Sequence, residues 1–166
     1  MANQFIRDLS QNTKRGLRAK ADRGWLPAYA TLGYMHNPLK RKGEKEIIKD
    51  PERFDLVKKM FGLMVTGNYH PPKVWEIATK EWGLRGKTGR RVARGTIYRI
   101  FSDPFYYGMF EYPHGSGNWY QGRHEPMITK KQFDRIQEII GRGNQSHPIK
   151  HNFQFRGLIR CGGCGA

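Results

Sequence analysis

The chain has 166 residues, and its 30 lysines and arginines outnumber its 14 aspartates and glutamates to leave a formal net charge of +16. No stretch approaches the roughly 20 apolar residues of a membrane span, the N-terminal segment lacks the apolar core of a secretory signal, and both cysteines fall at the very end, where they cannot staple the body of a fold. What remains is a folded, basic, cytoplasmic protein with an anionic partner, because 13% aromatic content is foreign to disordered basic tails.

Residues 1 to 23 read as one helix, with Phe5, Leu9, Thr13 and Leu17 near one face and Arg7, Lys14, Arg15, Arg18, Lys20 and Arg23 crowding the rest; Gly24 ends it. Two readings stand for this helix: a terminal helix packed on its own domain, or a basic helix that lies along phosphates or connects to a preceding domain. Trp25-Leu26-Pro27 opens an extended stretch to Gly33-Tyr34, and His36-Asn37-Pro38 with Lys40-Arg41-Lys42-Gly43 marks a polar loop, either solvated or touching phosphate.

Asp50-Pro51 predicts a helix start, since an aspartate accepts first-turn amides and proline suits the first helical position; Phe54, Val57, Phe61, Met64 and Val65 then repeat as a core stripe up to Gly67. His70-Pro71-Pro72 opens the next helix, with Val74, Trp75, Ile77, Ala78 and Trp82 inward and His70 as a cap or packing residue. A loop from Leu84 to Val92 leads to a basic helix in which Ile97, Ile100 and Phe101 hold the buried spacing, leaving Thr96, Arg99 and Ser102 outward. Every charged residue from Leu84 to Ser102 is a cation: Arg85, Lys87, Arg90, Arg91, Arg94 and Arg99. Three helices with a basic last one are helix-turn-helix-like, although the loop exceeds the tight turn of that motif.

Asp103-Pro104 stops the basic helix, and Phe105, Tyr107, Phe110 and Tyr112 have strand character beside it. Met109 to Tyr112 and Trp119 to Gln121 read as a hairpin with a glycine-rich tip. His114, His124 and Glu125 are the raw material of a metal or general-base site, with no spacing that puts them on one face. Thr129 and Gln132 form a capping box for a helix carrying Phe133, Ile136, Ile139 and Ile140 inward; from Gly141 to Ile149 the composition is that of a linker. Cys161 and Cys164, spaced C-x2-C among glycines, have the form of a zinc knuckle. They supply only half of a four-ligand site, with His147 and His151 the nearby candidates for the rest. The fold class is mainly α with a small β-hairpin, an α+β helical domain.

In this order the motifs resemble the large serine recombinases, which include phage integrases and transposon resolvases. The resemblance rests on Gly33-Tyr34, on Asp50-Pro51 with Met60-Phe61, and on Ile100-Phe101-Ser102-Asp103-Pro104 followed by Phe105-Tyr106-Tyr107-Gly108. It continues with Ile128-Thr129, Phe133 and the terminal Leu158-Ile159-Arg160-Cys161-Gly162-Gly163-Cys164-Gly165.

The resemblance implies that residues 1 to 24 are the C-terminal part of a long connector helix and that 25 to 141 are a DNA-binding recombinase domain. A linker over 142 to 154 and the truncated start of a zinc ribbon over 155 to 166 then follow. It implies a fragment of a mobile-element protein, prokaryotic or phage-encoded, without its catalytic domain: Ser10, Ser102, Ser116 and Ser146 match nothing in the family's nucleophile motif, so no strand cleavage is expected. No cofactor is expected in the fragment, while the longer parent would hold zinc. Two departures stand out. Val92-Ala93 replaces the family's Trp-Ser before the basic helix and so loses an N-cap hydroxyl, and Asp103 replaces the usual asparagine.

The expected function is sequence-directed binding of double-stranded DNA that positions a recombinase on its attachment half-site, with self-association left to domains absent from this chain. Arg7, Lys14, Arg15, Arg18, Arg85, Lys87, Arg90, Arg91 and Arg94 would engage phosphates, and Thr96, Tyr98 and Arg99 would lie near base edges. The competing readings are a basic RNA-binding or ribosome-associated protein and a nuclease using His114, His124 and Glu125.

Overall fold

A computed structural model describes residues 2–41 and 46–143. Cys161 and Cys164, the linker beyond residue 143 and the cations at 42 and 45 lie outside them. The elements run α1 (Ala2–Asp22), β1 (Tyr34–His36), β2 (Ile47–Lys49), α2 (Phe54–Val65), α3 (Pro71–Lys80), α4 (Arg94–Ser102), a 3-10 helix (Pro104–Tyr107), β3 (Met109–Glu111), β4 (Trp119–Gln121) and α5 (Lys130–Gly143). The class is the expected one, helical with small antiparallel β pieces. Among the described residues there are two two-stranded sheets where one was expected: β1 pairs with β2 with Met35 opposite Ile48, and β3 pairs with β4 with Phe110 opposite Tyr120. The last helix also continues two residues beyond the expected start of its linker, Gly141, ending at Gly143.

The core forms where α2, α3, α4 and α5 turn their apolar stripes toward the segment that follows α4. Phe61 of α2 meets Phe101 of α4 edge-on, with ring centroids 5.2 Å apart, and lies 4.9 Å from Tyr106. Tyr34 makes edge contacts with Phe54 at 5.4 Å, Phe105 at 5.3 Å and His124 at 5.3 Å. Burying a phenol demands a partner for its hydroxyl, and both deep tyrosines have one: Tyr106 donates to the Leu32 carbonyl at 2.8 Å and Tyr34 to the Glu125 carbonyl at 2.7 Å. Burial pushes the ionisation of both hydroxyls far above the ordinary tyrosine range.

Local signals account for most boundaries. His70 caps α3, its Nδ1 accepting the Lys73 amide at 3.1 Å, with Pro71 at the first helical position. Thr129 and Gln132 close the capping box on α5 reciprocally: the Thr129 amide reaches Gln132 Oε1 at 2.9 Å and the Gln132 amide reaches Thr129 Oγ1 at 3.3 Å. Asp50 acts one turn early. Its carboxylate accepts the Glu52 amide at 3.1 Å and Arg53 Nη1 at 2.9 Å, organising a turn over 51–53 from which α2 starts without a side-chain cap.

The aromatic run after α4 departs from expectation. Phe105 and Tyr107 lie in the 3-10 helix, not in a strand, because Pro104 fixes its first position, the Asp103 carboxylate accepts the Phe105 amide at 2.9 Å, and Gly108 ends it at φ +98. Only Phe110 of the run sits in a strand.

α1 ends in a Schellman motif: the Trp25 amide reaches the Lys20 carbonyl at 3.1 Å and the Gly24 amide reaches that of Ala21 at 2.8 Å, with Gly24 at φ +76. The Gly24 carbonyl then accepts the Arg123 amide at 3.0 Å, and a Cβ on Gly24 would stand 2.7 Å from the Gln121 carbonyl oxygen. From residue 4 to residue 16 the helix is exposed throughout, and Phe5, Ile6 and Leu9 are 70%, 62% and 57% accessible. The reading of a terminal helix packed on its own domain therefore does not hold; α1 is an arm fixed at one end. Among the described residues no helix is long and apolar enough to cross a membrane.

His124 lies flat on Phe105 at a centroid separation of 3.6 Å, and its Nε2 donates to the Phe105 carbonyl at 2.6 Å. Burial lowers its proton affinity below the ordinary value of 6.5, a tendency that the carbonyl contact only partly offsets. The sign follows: below about pH 6.5 the unfolded chain takes up a proton that the folded chain resists, so stability is level above that pH and falls as pH drops through the folded value. Urea unfolding between about pH 7 and about pH 5 should show this decline, and His124→Gln, which keeps a donor but does not titrate, should remove its share. An unchanged pH slope in that variant would assign the decline to other groups.

Candidate nucleic-acid interface

The cations expected to meet an anionic partner come from three local structures. Arg7, Lys14, Arg15 and Arg18 are exposed along the α1 arm, which joins the body at the end of β4. Arg85 and Arg91 face each other across an antiparallel bridge, so the segment expected as a plain loop is a tight hairpin turn. Within it the Gly86 amide reaches the Arg90 carbonyl at 2.8 Å, the Gly89 amide reaches that of Gly86 at 2.9 Å, and Gly89 takes φ +75. Arg94 and Arg99 are carried by α4, which rests on α3 and α5.

Sequence reasoning missed the residues that fix this turn. Arg53, already paired with Asp50, donates from Nε to the Arg85 carbonyl at 3.1 Å. Trp75 Nε1 donates to the Val92 carbonyl at 2.8 Å. Lys87, expected on phosphate, instead donates to the Ala30 carbonyl at 2.5 Å and ties the turn to the stretch before β1; partial burial lowers its proton affinity. Arg91 lies 4.4 Å and Arg94 5.9 Å from the Trp75 ring centroid, and Arg91 Nη2 reaches Thr79 Oγ1 at 3.5 Å. The available signal was weak: a tryptophan among four inward positions of α3 looks like ordinary core.

The outer stripe of α4 is Gly95, Tyr98, Arg99 and Ser102, all exposed, and Tyr98 is 40% accessible. Thr96, expected outward, is half-buried, because the stripe set by Ile97, Ile100 and Phe101 rotates it toward the edge of the contact. Ala93 stands at the N-cap in extended conformation with no side-chain hydrogen bond, and the first turn holds no acid. With no cap hydroxyl, neither side-chain oxygen nor carboxylate competes with an anion for the first-turn amides there.

Only part of the basic charge is paired. Acidic partners neutralise Arg53 (Asp50, Glu52), Lys73 and Lys80 (both Glu76), Lys49 (Glu125), Lys130 (Asp134) and Arg135 (Glu138). Among the described residues, no ion pair engages Arg85, Lys87, Arg90, Arg91, Arg94 or Arg99, nor Arg7, Lys14, Arg15 or Arg18. No carboxylate lies in the chain between Glu81 and Asp103. A stretch of single sign such as this attracts polyanions.

The histidine-based alternative dissolves in the structure. His124 is 8% accessible and held by Phe105, Glu125 pairs with Lys49 at 2.8 Å, and the His114 side chain is fully exposed in the β3–β4 turn beside Glu111. The three do not converge, and no group of three or more potential metal ligands occurs among the described residues.

Comparison with known proteins agrees with this geometry. The sequence model of the family described as Recombinase matches residues 51–142. Two solved structures superimpose with a TM-score of 0.60 at 19% identity. One is the crystal structure of an LSR–DNA complex, aligned over 79% of this chain and 38% of that one; the other comes from work on the sequence requirements of the Listeria innocua prophage attP site, aligned over 91% of this chain and 61% of that one. The chain thus spans less than two thirds of either. A search of curated proteins found no significant match.

Proposed function

Because the chain belongs to the Recombinase family, the one its sequence resembles, we propose that it is a sequence-directed duplex-DNA-binding module that positions a serine site-specific recombinase on its attachment half-site. One observation carries the reading: a braced turn and a helix present five arginines between residues 85 and 99, with no carboxylate in that stretch and no ion pair to any of them among the described residues. On this reading Arg85, Arg90, Arg91 and Arg94 contact phosphates and set register, while Tyr98 and Arg99, on the outer stripe of α4, approach base edges in the major groove. The exposed cations of α1 extend the phosphate contact along the arm. Strand cleavage and self-association are then tasks of other recombinase domains, and Cys161 with Cys164 would complete a zinc site only beside a second ligand pair.

The test is fluorescence anisotropy on a duplex selected from a random library and on its scrambled counterpart, across a salt series. Specific readout predicts a selected duplex bound at least tens of times more tightly, with both affinities falling steeply as salt rises. Arg99→Ala should cost about 1–3 kcal/mol on the selected duplex and flatten the ranking of half-site variants at one position. Equal binding of both duplexes, with single-stranded RNA competing better, would overturn the proposal.

A further inference from the structure

We propose that Trp75 is a positioning residue for contact with the DNA backbone: its indole carries Arg91 and Arg94 as a preset pair of guanidinium forks for phosphates of the duplex. This rests on the DNA-binding reading above. Trp75 is held rather than merely packed. It projects from α3, half-buried, and its Nε1 donates to the Val92 carbonyl at 2.8 Å, the backbone between the two arginines. Val92 itself is buried, so that point of the chain is anchored from both sides.

The two guanidinium groups sit 4.4 Å and 5.9 Å from the ring centroid. Stacking occupies the face of a guanidinium and leaves its N–H edge free for a bidentate oxyanion. Among the described residues no carboxylate pairs with either arginine, and the one side-chain bond to their edges is the long contact from Arg91 Nη2 to Thr79 Oγ1 at 3.5 Å. Long side chains ordinarily lose rotamer freedom when they bind; here part of that loss has been incurred beforehand.

The experiment uses the full chain, a fluorescent duplex of mixed sequence and a potassium chloride series, with thermal unfolding as a check on folding. Trp75→Leu removes both the ring and the hydrogen bond; Trp75→Phe keeps an aromatic face. Trp75→Leu should flatten the plot of log affinity against log salt by about one to two units, since each phosphate contact contributes roughly 0.9, and weaken binding near 0.1 M salt about tenfold. Trp75→Phe should keep most of the slope. On a background carrying Arg91→Gln and Arg94→Gln, adding Trp75→Leu should cost nothing further.

A folded Trp75→Leu with the wild-type slope overturns the proposal, as does an additional loss on the double-glutamine background, which would mark a purely structural role. Arg91→Gln and Arg94→Gln alone decide the matter if Trp75→Leu does not fold: unchanged slopes in both would leave the indole nothing to present. A wild-type chain that binds duplex without salt dependence instead removes the DNA-binding reading, and this inference with it.

Discussion

Phe101→Ala should lower stability by about 3–5 kcal/mol, the usual cost of emptying a buried phenylalanine site. Phe101 is fully buried, meets Phe61 edge-on at 5.2 Å, and its carbonyl accepts Gln137 Nε2 at 2.7 Å, so α4 is locked to α2 and α5 through this one residue. The helix that carries Arg99 then rests on a cavity. Urea unfolding measures the first effect, and the melting midpoint should drop by on the order of 10 °C. Duplex affinity, measured where the variant is still folded, should fall although no charge has changed. A loss below about 1 kcal/mol, the middle of the range for point substitutions in general, would mean that the neighbours collapse into the space and that α4 is held otherwise.

Gly122→Ala should be nearly as damaging. A Cβ at residue 122 would lie 2.3 Å from His124 Nδ1 and 2.4 Å from Cε1, distances that no side chain tolerates. The imidazole cannot retreat, since Phe105 lies 3.6 Å beneath it and the Phe105 carbonyl grips Nε2. Overpacking of this kind costs about 1–3 kcal/mol and sometimes more. The Gly122 amide is also bonded to the Gly108 carbonyl at 2.8 Å, so displacing residue 122 pulls on the junction between the 3-10 helix and β3. Calorimetry on Gly122→Ala, His124→Ala and the double variant separates these effects: if the clash is the cause, the double variant is more stable than the sum of the two losses predicts. Strict additivity would argue that backbone freedom, not the histidine, explains the glycine.

Much of the frame was legible because its signals are local. The Ile97, Ile100, Phe101 stripe of α4, the His70 cap, the Thr129–Gln132 box, the Gly24 stop and the β3–β4 hairpin each depend on residues a few positions apart. The β1–β2 hairpin was not: its strands are as short as those of β3–β4, but a longer, charge-rich segment separates them where a glycine-rich tip marks the other hairpin. In the aromatic run after α4, β-propensity pointed one way and the Asp103-Pro104 start another; the local hydrogen bond won over Phe105 and Tyr107. The site itself divides in the same manner. Its cations stand in the sequence, but what aims them does not. Arg53 reaches Arg85 across 32 positions, Lys87 reaches Ala30 across 57, and Trp75 reaches Val92 across 17. Such braces exist only once the helices have packed, and for Lys87 the brace ties down a side chain that the sequence assigned to phosphate.

The joint at Gly24 turns α1 into a lever with a set angle. A helix of 21 residues reaches about 30 Å, so a tilt of about 10° at its base would swing its far end by roughly 5 Å, more than the spacing of successive base pairs. On the proposed reading, the phosphates within reach of Arg7 would be set at the other end of the helix, by a glycine with no side chain and a carbonyl held by the Arg123 amide. The pitch of the arm is set at the end of β4, and on the proposed DNA-binding reading that pitch would set the length of duplex one chain spans.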